Sequence, residues 1–202
     1  MRLIVFGATG GTGRAVIEQA PAKGHEVTAF VRSAEFDAGP NVKVVRGSVL
    51  DPAAVTEAIR GQDAVFSGLG TRPWRHEDIC SQGTAVISAA MAATGVKRLI
   101  VLSTQGIGNS SIGTFAKPFV GLVLRKAFAD KDVMERALAQ TDLEWTVVRP
   151  GLLTNGAARG SWRTDDENKL KGGKISRADV AAFVLQELAD RTWIRKAPTV
   201  VW

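Results

Sequence analysis

Short apolar runs recur along the chain, and longer stretches with apolar residues at helical spacing separate most of them. The runs predict strands over residues 2–6, 26–31, 42–46, 64–69, 98–102, 145–148 and 199–201. Helical periodicity predicts helices over 12–23, 53–59, 77–94, 131–140 and 177–189. Most strands are nearly continuous in apolar residues rather than alternating, as expected for strands covered on both faces. Alternation of the two kinds of segment implies an α/β chain: a doubly wound Rossmann fold whose parallel sheet runs 3-2-1-4-5-6-7, with helices on both faces.

Punctuation along the chain agrees with these boundaries. Asp51-Pro52 supplies an N-cap and a first-turn proline, Ser176 caps the segment from Arg177, and Gly24, Gly61 and Gly95 close helices before the next strand. Three stretches without clear periodicity, 70–76, 104–117 and 152–175, follow strand ends and are expected to form the substrate side of a single domain spanning 1–202.

The first of these turns carries the strongest chemical signal. Gly7-Ala8-Thr9-Gly10-Gly11-Thr12-Gly13 joins the strand Leu3-Ile4-Val5-Phe6 to a helical pattern from Arg14. Glycines allow a sharp turn and close approach of a phosphate, while the free N–H groups and positive dipole end of the following helix attract its charge. The spacing is G-x-x-G-x-x-G, not the G-x-G-x-x-G of ordinary Rossmann dehydrogenases, but its place between strand and helix satisfies the context that gives such loops meaning. A dinucleotide is therefore expected across the carboxyl ends of the strands. At the second strand's end, Val31 leads into Arg32-Ser33 with no acidic residue for the ribose hydroxyls, which favours the 2′-phosphate of NADP(H) over NAD(H). Ser48-Val49 and Gly68-Leu69-Gly70-Thr71 follow the third and fourth strands, where adenine, ribose and diphosphate would rest.

Length and composition narrow the classes further. A chain of 202 residues, 45% hydrophobic, suits one substantial core. It contains no uninterrupted apolar run of about 18 residues and opens directly on the first strand, so a cytoplasmic protein with no stable membrane association is expected. The apolar run from Phe115 to Phe128 reads as a lid. One cysteine, Cys80, allows no internal disulfide, and with His25 and His76 the only histidines no metal site is expected. The net charge of +6 is dispersed, which argues against a nucleic-acid interface and suits steering of anionic ligands. Trp193 and Trp202 fit either a sheet edge or an interface between copies in an oligomer.

The glycine loop with Arg32, Gly47-Ser48-Val49-Leu50, Leu69-Gly70-Thr71-Arg72, Ser81-Gln82-Gly83, the run Glu144 to Gly151 (EWTVVRPG), and Ile175 to Ala181 (ISRADVA) together resemble atypical short-chain dehydrogenases of the NAD(P)H-binding, NmrA-like type. Within these, the chain is similar to the NADPH-dependent flavin reductase group that includes biliverdin reductase B. The resemblance covers nearly the whole chain. It implies hydride transfer from NADPH to a small planar acceptor: a flavin, a quinone or a linear tetrapyrrole. It also implies that Thr9, Gly10, Gly11 and Thr12 bind the diphosphate, Arg32 the 2′-phosphate, and Ser48 and Val49 the adenine. Gly70, Arg72 and Cys80 would lie along the middle of the cofactor, and Ser103, Thr104, Lys131, Pro150, Gly151 and Leu152 at its nicotinamide end.

The departures bear on mechanism. The chain has no tyrosine, so the Tyr-x-x-x-Lys relay of ordinary short-chain dehydrogenases cannot form, and Ala127 stands four residues before Lys131. Ser48 stands where the flavin reductase pattern has an acid, and Lys131 and Leu152 where it has histidines, which leaves the acceptor open. Thr104 and Lys131 are the candidate catalytic side chains, one hydroxyl and one cation at the expected nicotinamide end. The missing tyrosine also fits an alternative: a non-catalytic NADP(H)-sensing regulator of the NmrA type.

Overall fold

The apolar strands sort their side chains by alternation, and that sorting builds two core layers on one sheet. In the computed structural model, which describes residues 1–32, 35–70, 78–107, 125–166 and 169–202, β1 spans Arg2–Phe6. Its Leu3 and Val5 pack on one face with Val16, Ile17, Val180 and Val184, while Ile4 and Phe6 pack on the other with Val55, Ile59, Ile87 and Met91. A two-residue period thus explains why the strand has no polar side.

The remaining elements follow in order. α1 (Gly11–Gln19) runs into a 3-10 turn at Pro21–Lys23, then come β2 (Glu26–Val31), β3 (Val42–Arg46), α2 (Pro52–Ile59), β4 (Ala64–Ser67), α3 (Ile79–Thr94) and β5 (Arg98–Leu102). The second half holds α4 (Arg125–Ala139), β6 (Glu144–Pro150), β7 (Leu152–Thr154), β8 (Arg163–Asp165), β9 (Lys174–Ser176), α5 (Arg177–Asp190) and β10 (Thr199–Val201). The sheet order is β3-β2-β1-β4-β5-β6-β10-β8, parallel except for β8, which pairs antiparallel with β10. α1 and α5 cover one face; α2, α3 and α4 cover the other. This is the expected doubly wound Rossmann fold, and the order reverses between β1 and β4, where such sheets open a crevice.

The caps read from sequence also form. Asp51 accepts from the N–H groups of Ala53 and Ala54 at 3.0 and 3.2 Å, and the Ser176 hydroxyl accepts from Asp179 N–H at 3.0 Å. Pro21 ends α1 as a regular helix at Gln19, short of the expected Lys23. α4 spans Arg125–Ala139, starting six residues ahead of the expected helix and taking in Phe128, while residues 115–124 of the expected lid lie outside the described residues. Residues 152–175 are not wholly irregular: β7 pairs with β9 in a small second sheet, and β8 covers the sheet edge that β10 was expected to form.

The 152–175 stretch is tied down by one carboxylate. Asp179, fully buried in the first turn of α5, accepts from the backbone N–H of Arg159 (3.0 Å) and Gly160 (2.9 Å), the Ser176 hydroxyl (2.8 Å) and the Trp202 indole N–H (2.8 Å). Trp202 therefore packs on its own chain, with the Arg159 guanidinium 3.7 Å above its ring. Burial pushes the Asp179 carboxyl up, but these donors together hold it below the ordinary carboxylate value of 3.8. Its contribution to stability is then complete above pH 3.8 and lost as pH falls through the lower folded value. Asp179→Asn should lower unfolding free energy by about 2–4 kcal/mol at neutral pH, and urea titrations from neutral to acid pH should show the deficit shrinking below that value.

Candidate functional site

The glycine loop closes against the end of β4 so tightly that side chains are excluded. Gly7 has a φ of +72°, and a Cβ there would overlap the Gly68 carbonyl and come within 2.9 Å of Leu69 N. A Cβ on Gly13 would in turn overlap the Gly7 carbonyl oxygen. Two backbone bonds fix the turn, Gly10 N–H to Gly7 O at 3.0 Å and Arg14 N–H to Gly10 O at 2.9 Å, while Gly68 N–H ties β4 to Phe6 O at 2.9 Å. Gly10 is the N-cap of α1 and brings no side-chain acceptor, so the first-turn N–H groups are left uncapped at the mouth of the crevice. Thr9, Gly10 and Gly11 are exposed there, and Thr12 is buried beneath them. Such a cradle fits a phosphate-bearing group.

The side of the crevice where the adenine is expected is assembled from three strand ends. Arg32 is exposed directly after β2. A second cation that sequence reading missed is Arg14 of α1, which sits 4.8 Å above the ring of Phe36, five residues after the same strand end. Ser48 is exposed, its hydroxyl accepting from Leu50 N–H at 3.2 Å. Val49 and Leu69 converge on Gly83 of α3, where a Cβ would lie 3.3 and 2.7 Å from their methyl carbons. Around Gly70 a Cβ would meet no atom of the described residues within 4 Å. Ser33, Thr71 and Arg72 lie outside the described residues, as does His76.

At the opposite end, β5 and β6 present a polar cluster. The Ser103 hydroxyl donates to Glu135 Oε1 at 2.5 Å, and Arg149 Nη2 donates to Glu135 Oε2 at 2.5 Å, with both side chains of the ion pair largely buried. Lys131, one turn earlier on α4, donates from Nζ to Leu102 O at 3.2 Å. Desolvation pushes the Lys131 ammonium below its ordinary value, against the opposing pull of Cys80, Glu135 and Asp130. Thr104 is half-buried beside them, and Gln105 N–H bonds the Pro150 carbonyl at 3.0 Å. Gly151 is pinned against the Gly173 carbonyl and Val201, while Leu152 is 72% exposed at the crevice rim.

Cys80 is buried, with its thiol 3.6 Å from Leu69 O and its N–H, like that of Ser81, bonded to Asp130 at 2.9 Å. Asp130 thus caps α3 from a different helix. The structure brings Lys131, Ser103 and Pro150 to one end of the strands, with Thr104 next in sequence, and adds Glu135 and Asp130. Glu135 could have been noticed, four residues after Lys131 and so on the same helix face; the Asp130 cap spans 49 residues and leaves no sequence signal.

The profile of a family described as NAD(P)H-binding matches residues 7–191. The chain belongs to this family. An NAD(P)H-binding protein of this kind is 30% identical to an uncharacterised chloroplastic protein of Arabidopsis thaliana, over 93% of this chain and 71% of the relative. It is 29% identical to 2-alkyl-3-oxoalkanoate reductase of Stenotrophomonas maltophilia, over 93% of this chain and 66% of that enzyme. Its fold matches the anaerobilin reductase ChuY of Escherichia coli O157:H7 with a TM-score of 0.86 and 25% identity, covering 100% of this chain and 97% of that one. The family supports a nicotinamide cofactor. Among the described residues, no helix is long and apolar enough to cross a membrane.

Two outcomes follow from this geometry. Gly13→Ala should cost at least about 2 kcal/mol in urea unfolding, because backbone must move, whereas Gly70→Ala should stay within about 0.5 kcal/mol of the parent. Arg149→Met should destabilise by about 3–5 kcal/mol by stranding the Glu135 carboxylate, and Arg149→Met combined with Glu135→Leu should recover most of that loss.

Proposed function

We propose that this chain is an NADPH-dependent reductase that delivers hydride to a small planar acceptor: a flavin, a quinone or a linear tetrapyrrole. The observation that carries the reading is a phosphate-fitting glycine cradle in a chain without a single tyrosine. A hydroxyl substrate needs a base to take its proton, and the position one turn before Lys131 is Ala127. A conjugated acceptor has no such need: hydride arrives at one atom and solvent supplies the proton that completes its two-electron reduction. Similarity to an anaerobilin reductase supports the tetrapyrrole among the three acceptors.

The bound dinucleotide supplies the hydride, and the chain's own residues position and shelter it. In this reading the loop Gly7, Thr9, Gly10, Gly11, Thr12 and Gly13 receives the diphosphate; Arg32, with Ser33, takes the 2′-phosphate; and Ser48 and Val49 border the adenine. Leu69, Gly70, Thr71, Arg72 and Cys80 flank the middle. Ser103, Pro150, Gly151 and Leu152 form the nicotinamide end, where the exposed Leu152 offers an apolar surface to a flat ring. Thr104 donates to an acceptor carbonyl. The Lys131 ammonium, bonded to the Leu102 carbonyl, orients the ribose or an anionic acceptor. A lone cysteine fits work in the reducing cytoplasm.

Calorimetric titration with NADPH and NADH tests the cofactor assignment. The intact protein should prefer NADPH, and Arg32→Ala should weaken NADPH binding by about 10- to 100-fold while leaving NADH within about twofold. Equal affinity for both cofactors in the parent protein would remove the 2′-phosphate assignment.

A further inference from the structure

Arg177, the first residue of α5, lies across the glycine cradle. A Cβ built on Gly11 would fall 2.6 Å from Arg177 Cδ and 2.8 Å from its Nε, so this arginine can occupy its place only because residue 11 has no side chain. Its guanidinium continues to Asn155, donating from Nη1 to Oδ1 at 2.5 Å, just beyond the end of β7. One side chain thus bridges the loop after β1 and the segment after β7.

Among the described residues, no carboxylate answers the charge on Arg177. Arg2, Arg60, Arg98, Arg136, Arg149 and Arg191 each pair with an Asp or Glu, whereas the described partner of Arg177 is a neutral amide. The loop it crosses contains no ionisable residue between Gly7 and Gly13, and the nearest arginine in sequence, Arg14, is stacked on Phe36. A diphosphate in the cradle would bring two negative charges to backbone N–H groups and a helix dipole worth about half a unit charge.

We infer that Arg177, held against Gly11 at the edge of the glycine loop, is the cation that binds the diphosphate of the dinucleotide. The inference rests on the cofactor reading above. A guanidinium carries five N–H donors, and the bond to Asn155 uses one, so several remain for phosphate oxygens. Because it also holds Asn155, Arg177 links cofactor binding to the position of the segment that borders the acceptor.

The test is calorimetry of the intact protein, Arg177→Met and Arg177→Lys with three probes: NADPH, NADH and adenosine 2′-monophosphate, which has the 2′-phosphate but no diphosphate. Arg177→Met should weaken both dinucleotides by about 10- to 100-fold and leave adenosine 2′-monophosphate within about twofold, with Arg177→Lys intermediate. Unchanged dinucleotide affinity in Arg177→Met overturns the assignment. So does an equal loss for adenosine 2′-monophosphate, which would mean a general loosening of the crevice. Unchanged NADPH binding with a raised KM for a carboxylate-bearing acceptor also overturns it and moves Arg177 to the acceptor. Failure of the unaltered protein to bind either dinucleotide overturns the cofactor reading and the inference together.

Discussion

The contact of Gly7 with Gly68 is the constraint on which the site depends. β1 and β4 are neighbours in parallel register, Phe6 opposite Ser67, and their chains then part to opposite faces of the sheet. The crevice between them exists only because the two backbones can touch before they diverge, and any side chain at Gly7 would hold them apart. From that contact follows the entry angle of α1, hence the direction of its uncapped N–H groups. The placement of Arg177 over Gly11 depends on the same missing side chains.

Two buried ion pairs frame the sheet at opposite ends. At the amino ends Arg98 meets Glu187 at 2.8 Å, with Arg98 also bonded to Glu144 O and the Thr146 hydroxyl, and burial lowers its pKa to about 10. At the carboxyl ends Arg149 meets Glu135 and Ser103. Such pairs return little net stability, because desolvation offsets most of the attraction. Their geometric effect is clearer: the first pins α5 to β5 and β6, the second pins α4 to the same two strands.

Most of the fold was legible because the strands are buried on both faces and so read as unbroken apolar runs, and because caps such as Asp51 and Ser176 bond within three residues of themselves. The cradle was legible for a related reason: its glycines fall within seven residues of one turn, and Gly7 and Gly13 are each required by close backbone contact. What escaped was held by distant partners. β7, β8 and β9 are three residues long, too short for periodicity to register, and depend on Asp179 and Trp202. Arg14 looked like an ordinary surface charge until Phe36 was folded beneath it, and Glu135 acquired its meaning only when β6 delivered Arg149 to it.

The proposed reduction of an acceptor that needs no base rests on the family, the crevice and the missing tyrosine. The most direct measurement is the loss of reduced-nicotinamide absorbance when the purified protein is mixed with NADPH and, separately, a flavin, a quinone and a linear tetrapyrrole. The account predicts enzyme-dependent oxidation of NADPH with at least one of the three, matched by reduction of that acceptor. Tight NADPH binding with no oxidation in any mixture would contradict it, and would leave a protein that senses the cofactor rather than using it.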